Sequence, residues 1–184
     1  MKKLILAVCK GNIHRSVIAE LCLRKVLQSS NFCDQYEVMS CGLQGSYGTD
    51  PPLFSNLVHY PLEWSLTKPI LEDLEIEISS SRVATPVTRE IADRSSIILA
   101  MNKKVLCGLS YSLVKQFPHL GFKMRLFKEI AGETDDIPDC AGKTEIEVYR
   151  NVILGINQIA QNHIGNLLKL LEIFSTYTNE RRVP

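Results

Sequence analysis

Leu4-Ile5-Leu6-Ala7-Val8 is an unbroken apolar run, and beyond a short polar gap the spacing becomes helical through Ser16-Val17-Ile18-Ala19-Glu20-Leu21-Cys22-Leu23. The first pattern predicts a strand buried on both faces and the second a helix with one buried face. The alternation then recurs. Tyr36–Ser40, Ile97–Met101 and Lys123–Phe127 predict three more strands. Thr85-Pro86 reads as an N-cap followed by proline at the first helical position, predicting a short helix through Ala92. A further helix is expected over Lys103–Lys115. Thr144 with Glu147 three residues on has the capping-box pattern for a last helix, whose apolar face is Val148, Val152, Ile156, Ile159, Ile164 and Leu168. Strands alternating with helices predict βαβ units around a parallel sheet. The chain is therefore expected to be one α/β domain over residues 1–174, with a polar tail from Ser175 to Pro184.

Composition narrows the function classes. A chain of 184 residues with 45% hydrophobic and 22% charged residues suits one soluble domain with a substantial core. A net charge of +1 argues against a nucleic-acid partner. No apolar stretch reaches the ~18 residues of a membrane span, and the run before Cys9 is too short for a leader peptide. Cys9, Cys22, Cys33, Cys41, Cys107 and Cys140 are scattered, without the paired spacing of a zinc site. Reduced thiols, a cytoplasmic location and chemistry without metal or cofactor are the expectations; the oligomeric state is left open.

Candidate chemistry sits in Cys9-Lys10-Gly11-Asn12-Ile13-His14-Arg15-Ser16, between the first strand and first helix. In such a turn the loop amides and the free N–H groups of the helix converge where the macrodipole also favours negative charge. Gly11 permits close backbone approach, Asn12 tolerates the left-handed conformation, and Arg15 can fork two donors onto phosphate oxygens. Lys10, Ile13 and His14 complete the loop. A negative charge there, on a phosphate or on the Cys9 sulfur, meets converging donors. Cys9 is thus a candidate nucleophile, and Ser16 can donate to it as well as cap the helix. Displacing an alcohol from phosphate also needs a proton donor. The loop from Ala131 to Lys143 follows the fourth strand and can reach the same rim; of its Glu133, Asp135, Asp136 and Asp139, the last follows Pro138 and is the preferred acid.

At these residues the chain resembles the low-molecular-weight protein tyrosine phosphatases. The family loop pattern Cys-x-Gly-Asn-x-Cys-Arg-Ser-Pro-x-Ala-Glu is met at Cys9, Gly11, Asn12, Arg15, Ser16, Ala19 and Glu20, and further similarity lies at Ser40-Cys41-Gly42, Ile98–Met101 and Asp136-Ile137-Pro138-Asp139. The resemblance implies a flavodoxin-like, four-stranded parallel sheet with helices on both faces. It implies a phosphomonoester hydrolase acting on a phosphorylated protein or small aryl phosphate through phosphocysteine on Cys9, with Asp139 as general acid and base and with Asn12 and Ser40 bracing the loop. Four departures stand out. His14 replaces a second loop cysteine, Val17 a proline, Cys140-Ala141 an aromatic wall, and Asn102 an Asp. The segment Leu43–Lys68 is also longer, and offers Tyr47, Phe54, Tyr60 and Trp64 for a rebuilt wall. Ile13 is similar to the phosphotyrosine-directed members, whereas a Thr there marks phosphoarginine specificity. An arsenate reductase or a non-catalytic phosphate-binding module are the alternatives; the first would need a cysteine pair near Ile78–Arg94, where there is none.

Overall fold

The computed structural model describes residues 2–180, with side chains through Phe174. Four parallel strands, β1 (Lys3–Cys9), β2 (Tyr36–Gly42), β3 (Ser95–Ala100) and β4 (Met124–Leu126), form one sheet in the order β2-β1-β3-β4. Around it run α1 (Arg15–Ser29), α2 (Pro61–Asp73), α3 (Arg89–Arg94), α4 (Leu113–Gln116) and α5 (Ile146–Glu180). Successive side chains of a strand point to opposite faces, and β1 shows the result. Ile5, Ala7 and Cys9 enter a core built with α1, α2 and α5, whereas Leu6 and Val8 enter a second core built with α3 and α4. Helices therefore cover both faces of the sheet. The chain leaves β1 toward β2 and returns on the other side to β3, so strand order reverses beside the carboxyl end of β1, where open sheets of this kind bind ligands. Cys9 is the last residue of β1.

Several expected elements differ. Thr85 does not cap a helix: its carbonyl accepts from Gly42 N–H and Val87 N–H donates to Gly42 O, so Pro86 lies extended beside β2. Thr88 is the cap, accepting from Ile91 N–H at 3.2 Å, and α3 begins at Arg89. The expected helix over Lys103–Lys115 is broken into one wide turn at Lys104–Gly108 and the short α4, as weak helix formers Gly108, Ser110 and Ser112 dictate. Thr144 forms no capping box; α5 begins at Ile146. The helix bends at His163 (φ −124°, ψ 16°), and its buried stripe runs on through the bend, from Ile156 and Ala160 to Leu167, Leu171 and Phe174. It continues to Glu180, so the expected tail overlaps its end, and residues 181–184 lie outside the described residues. Helix α2 was not expected; Pro61 occupies its first turn and Pro69 interrupts its pattern.

Candidate active site

The loop between β1 and α1 curls over the Cys9 sulfur. Asn12 takes the left-handed conformation (φ 57°), which turns its backbone N–H toward Cys9 Sγ at 3.2 Å, and Ser16 Oγ–H donates to the same sulfur at 3.0 Å. Asn12 is 1% exposed and its side chain is held at both ends. Its Nδ2 donates to Ser40 Oγ at 2.7 Å and Ser16 Oγ at 3.1 Å, while its Oδ1 accepts from Thr85 N–H at 2.9 Å. Beneath it, buried Glu20 accepts from Ser40 Oγ at 2.7 Å and pairs with Arg82 and Arg24 at 2.5 and 2.8 Å. Arg82 Nη2 also donates to Ser40 Oγ at 2.7 Å. A lone buried carboxylate is costly; two guanidinium groups and a hydroxyl compensate this one. Close packing adds to the bracing, because a Cβ at Gly42 would sit 2.8 Å from the Gly11 carbonyl carbon and 2.9 Å from Asn12 N.

The expected acid reaches the loop from the other side. Ile137 N–H donates to Met101 O at 2.8 Å, and Asp136 Oδ1 accepts from Lys103 N–H at 2.7 Å, anchoring the segment just past β3. Asp136 is exposed, as expected of a loop carboxylate, and its bond to Lys103 N–H makes it a clamp on the segment as well. Arg15, 4% exposed, spans the gap: Nη1 donates to Ile137 O at 3.1 Å and Nη2 to Asp139 Oδ2 at 2.7 Å. Asp139 keeps a 59% exposed side chain at the rim.

His14 ties three elements together. Its Nε2 lies 3.0 Å from the buried Thr67 Oγ1 of α2, its Nδ1 3.5 Å from Cys140 Sγ, and its ring meets Tyr149 of α5 edge-on at 5.7 Å. Burial, and then the neighbouring Arg15 charge, lowers the imidazole pKa to about 4. Burial and then Asp139 push the Cys140 thiol up to about 12.

These groups line a cavity of about 310 Å³ with Cys9, Lys10, Gly11, Ile13, His14, Arg15 and Asp139 in its wall. Asn12, Ser16 and Ser40 stand behind that wall rather than in it. Of the four aromatics offered for the rebuilt wall, only Tyr60 lines the cavity, joined by Pro52, Leu53, Leu57 and Tyr149. Phe54 meets Tyr60 edge-on, Trp64 packs against the core, and Tyr47 is 68% exposed. Glu20, Glu63, Thr85, Arg82 and Tyr149 were not anticipated as site residues; Glu20 lay in a matched motif, but nothing local marked the others as such. Among the described residues no group of His, Cys, Asp and Glu side chains is arranged to hold a metal ion.

A loop that aims backbone and hydroxyl donors at a cysteine sulfur, with an arginine and a carboxylate closing over it, is built for an anion and a nucleophile together. The family model for low molecular weight phosphotyrosine protein phosphatases matches residues 4–172. The chain belongs to that family and is a cysteine-dependent phosphatase. Solved structures share the fold. A YwlE mutant from Bacillus subtilis is 21% identical over 93% of this chain and 99% of its own, with a TM-score of 0.71. The YwlE arginine phosphatase from Geobacillus stearothermophilus is 24% identical over 99% of both chains, at 0.65. A low molecular weight protein tyrosine phosphatase from T. tengcongensis is 23% identical over 91% of this chain and 99% of its own, at 0.68. No curated protein sequence matches the chain. Among the described residues no helix is long and apolar enough to cross a membrane.

Proposed function

We propose that the protein hydrolyses phosphotyrosine in proteins, and small aryl phosphates, through a phosphocysteine on Cys9. Sγ attacks phosphorus in line; the S–P bond forms as the P–O bond to the phenol breaks, and Asp139 gives its proton to the departing oxygen. Asp139 then takes a proton from the water that cleaves S–P and releases phosphate. Arg15 and the amides of residues 10–15 hold the phosphoryl oxygens, Ser16 eases departure of the sulfur, and Asn12 and Ser40 keep the loop in shape. One observation carries this reading: Cys9 Sγ accepts from both Asn12 N–H and Ser16 Oγ–H at the floor of a cavity whose rim holds Asp139.

Ile13, Leu53, Leu57 and Tyr60 give that cavity an apolar wall suited to an aromatic ring. This favours phosphotyrosine over phosphoarginine, the substrate in the name of the Geobacillus relative. Arsenate reduction would pass oxidation to further thiols. Cys22, Cys41 and Cys140 are buried, and burial first of all pushes each up to about 12, which opposes that relay. The described cysteines are all unpaired, supporting a reducing, cytoplasmic setting. Turnover of para-nitrophenyl phosphate by the purified protein tests the reading. Cys9→Ser must abolish it while leaving vanadate binding measurable, and Arg15→Lys must impair it severely because an ammonium lacks the planar fork. Substantial turnover by Cys9→Ser would remove the nucleophile assignment.

A further inference from the structure

The cavity holds a second carboxylate for which hydrolysis has no use. Glu63 lies in the first turn of α2, in the long segment that departs from the family pattern, and it lines the same cavity as Cys9 and Asp139. Two neighbouring amides hold the two carboxylates. Ala141 N–H donates to Asp139 Oδ1 at 3.3 Å and Gly142 N–H to Glu63 Oε1 at 3.2 Å. Their charge balance differs. Asp139 is paired with Arg15, whereas among the described residues no lysine, arginine or histidine forms an ion pair with Glu63. Its charge reaches the cavity wall: behind burial and the Cys140 sulfur, it helps push the Tyr149 phenol up to about 12.

A fixed, unneutralised anion beside a pocket for phosphate opposes the substrate's own charge. The opposition disappears when the substrate brings a cation to that side of the pocket. Resting on the phosphatase reading, we propose that Glu63 is a specificity-determining residue that selects phosphotyrosine peptides carrying a lysine or arginine next to the phosphotyrosine. Gly142 fixes the carboxylate in place, so the basic side chain meets a preorganised partner rather than one that must be ordered on binding.

The test compares kcat/KM for phosphotyrosine peptides flanked by arginine with the same peptides flanked by glutamate. The wild-type protein is expected to favour the basic set by about tenfold, equivalent to ~1.4 kcal/mol. Glu63→Gln retains an acceptor for Gly142 N–H but removes the charge, and must bring the ratio to within about twofold of unity. Glu63→Lys must invert it. The wild-type preference must also shrink as salt rises from ~0.01 to ~1 M and the Debye length falls from ~30 to ~3 Å, which a purely structural residue would not cause. An unchanged ratio in Glu63→Gln, or an equal loss of kcat on both peptide sets, would overturn the proposal and leave Glu63 as a clamp on the acid loop. A phosphoarginine peptide provides the third arm: Glu63-dependent hydrolysis of it, with no effect of flanking residues on phosphotyrosine peptides, would overturn the proposal by moving the cation into the scissile residue. Wild-type turnover of para-nitrophenyl phosphate separates the two failures, since its absence refutes the phosphatase reading and its presence confines the failure to Glu63.

Discussion

Asp139→Asn should push catalysis and anion binding in opposite directions. On the proposed mechanism the carboxylate does two things: it supplies the proton from the rim, and it sits 2.7 Å from Arg15 Nη2, the group that is to grip phosphate. Removing a general acid typically costs ~10² to 10⁴ in rate, and the loss falls on leaving groups that cannot depart without a proton. Phenyl phosphate hydrolysis should drop by roughly that factor and para-nitrophenyl phosphate hydrolysis by far less. The ion pair is largely exposed on the Asp139 side, at 59%, and such pairs contribute ~0.2 to 1 kcal/mol. Deleting the carboxylate removes a competitor for Arg15 and a charge opposing the dianion, so inorganic phosphate should inhibit the variant up to about fivefold more tightly. The assay is a leaving-group series with phosphate as competitive inhibitor. A uniform rate loss across the series, or weaker phosphate inhibition, would refute the assignment of both roles to this side chain.

Acid stability should report on His14. Its folded pKa of about 4 lies below the unfolded value of about 6.5, so the stability this contributes is complete above pH ~6.5 and is lost as pH falls toward 4, by up to about 3 kcal/mol. Urea titrations at both ends of that window measure the loss, and His14→Gln should flatten it. Arg82→Met leaves Glu20 buried with one cation fewer and should destabilise the fold by about 3 kcal/mol, read as a lowered urea midpoint. Gly42→Ala drives a methyl group into the Gly11 and Asn12 backbone and should cut kcat by more than tenfold, with the unfolding midpoint moving by less than the Arg82→Met shift; full activity would show that the loop can yield.

What could be read in the sequence was governed by local chemistry. Strand β1, the phosphate-type loop and α1 are contiguous, and their pattern and loop residues agree. The short segment in which Pro138 limits the path does bring Asp139 to the loop, 2.7 Å from Arg15 Nη2. The failures share a tertiary cause. Thr85-Pro86 carries a helix-start signal, but Gly42 bonds to the backbone on either side of Pro86 and holds it extended. Asp136 is the exposed loop carboxylate the sequence implies, but its bond from Lys103 N–H was not legible because that donor lies far away in sequence. Arg82 and Glu63 had no local mark at all; one is defined by a buried carboxylate on α1, the other by an amide in the acid loop.

The double hold on Asn12 also sets an order in time. Its partners arrive with β2 and with the strap at Thr85, and Asp139 follows only after most of the chain has been made. At ~5 to 20 residues per second, the nascent Cys9 spends on the order of 10 s outside the ribosome before Asp139 exists. Within that interval the brace on Asn12 closes first, because Ser40 and Thr85 precede Asp139 along the chain. The pocket is therefore complete only once the loop carrying Asp139 has been made and has docked on Arg15, well after the residues that shape the Cys9 loop.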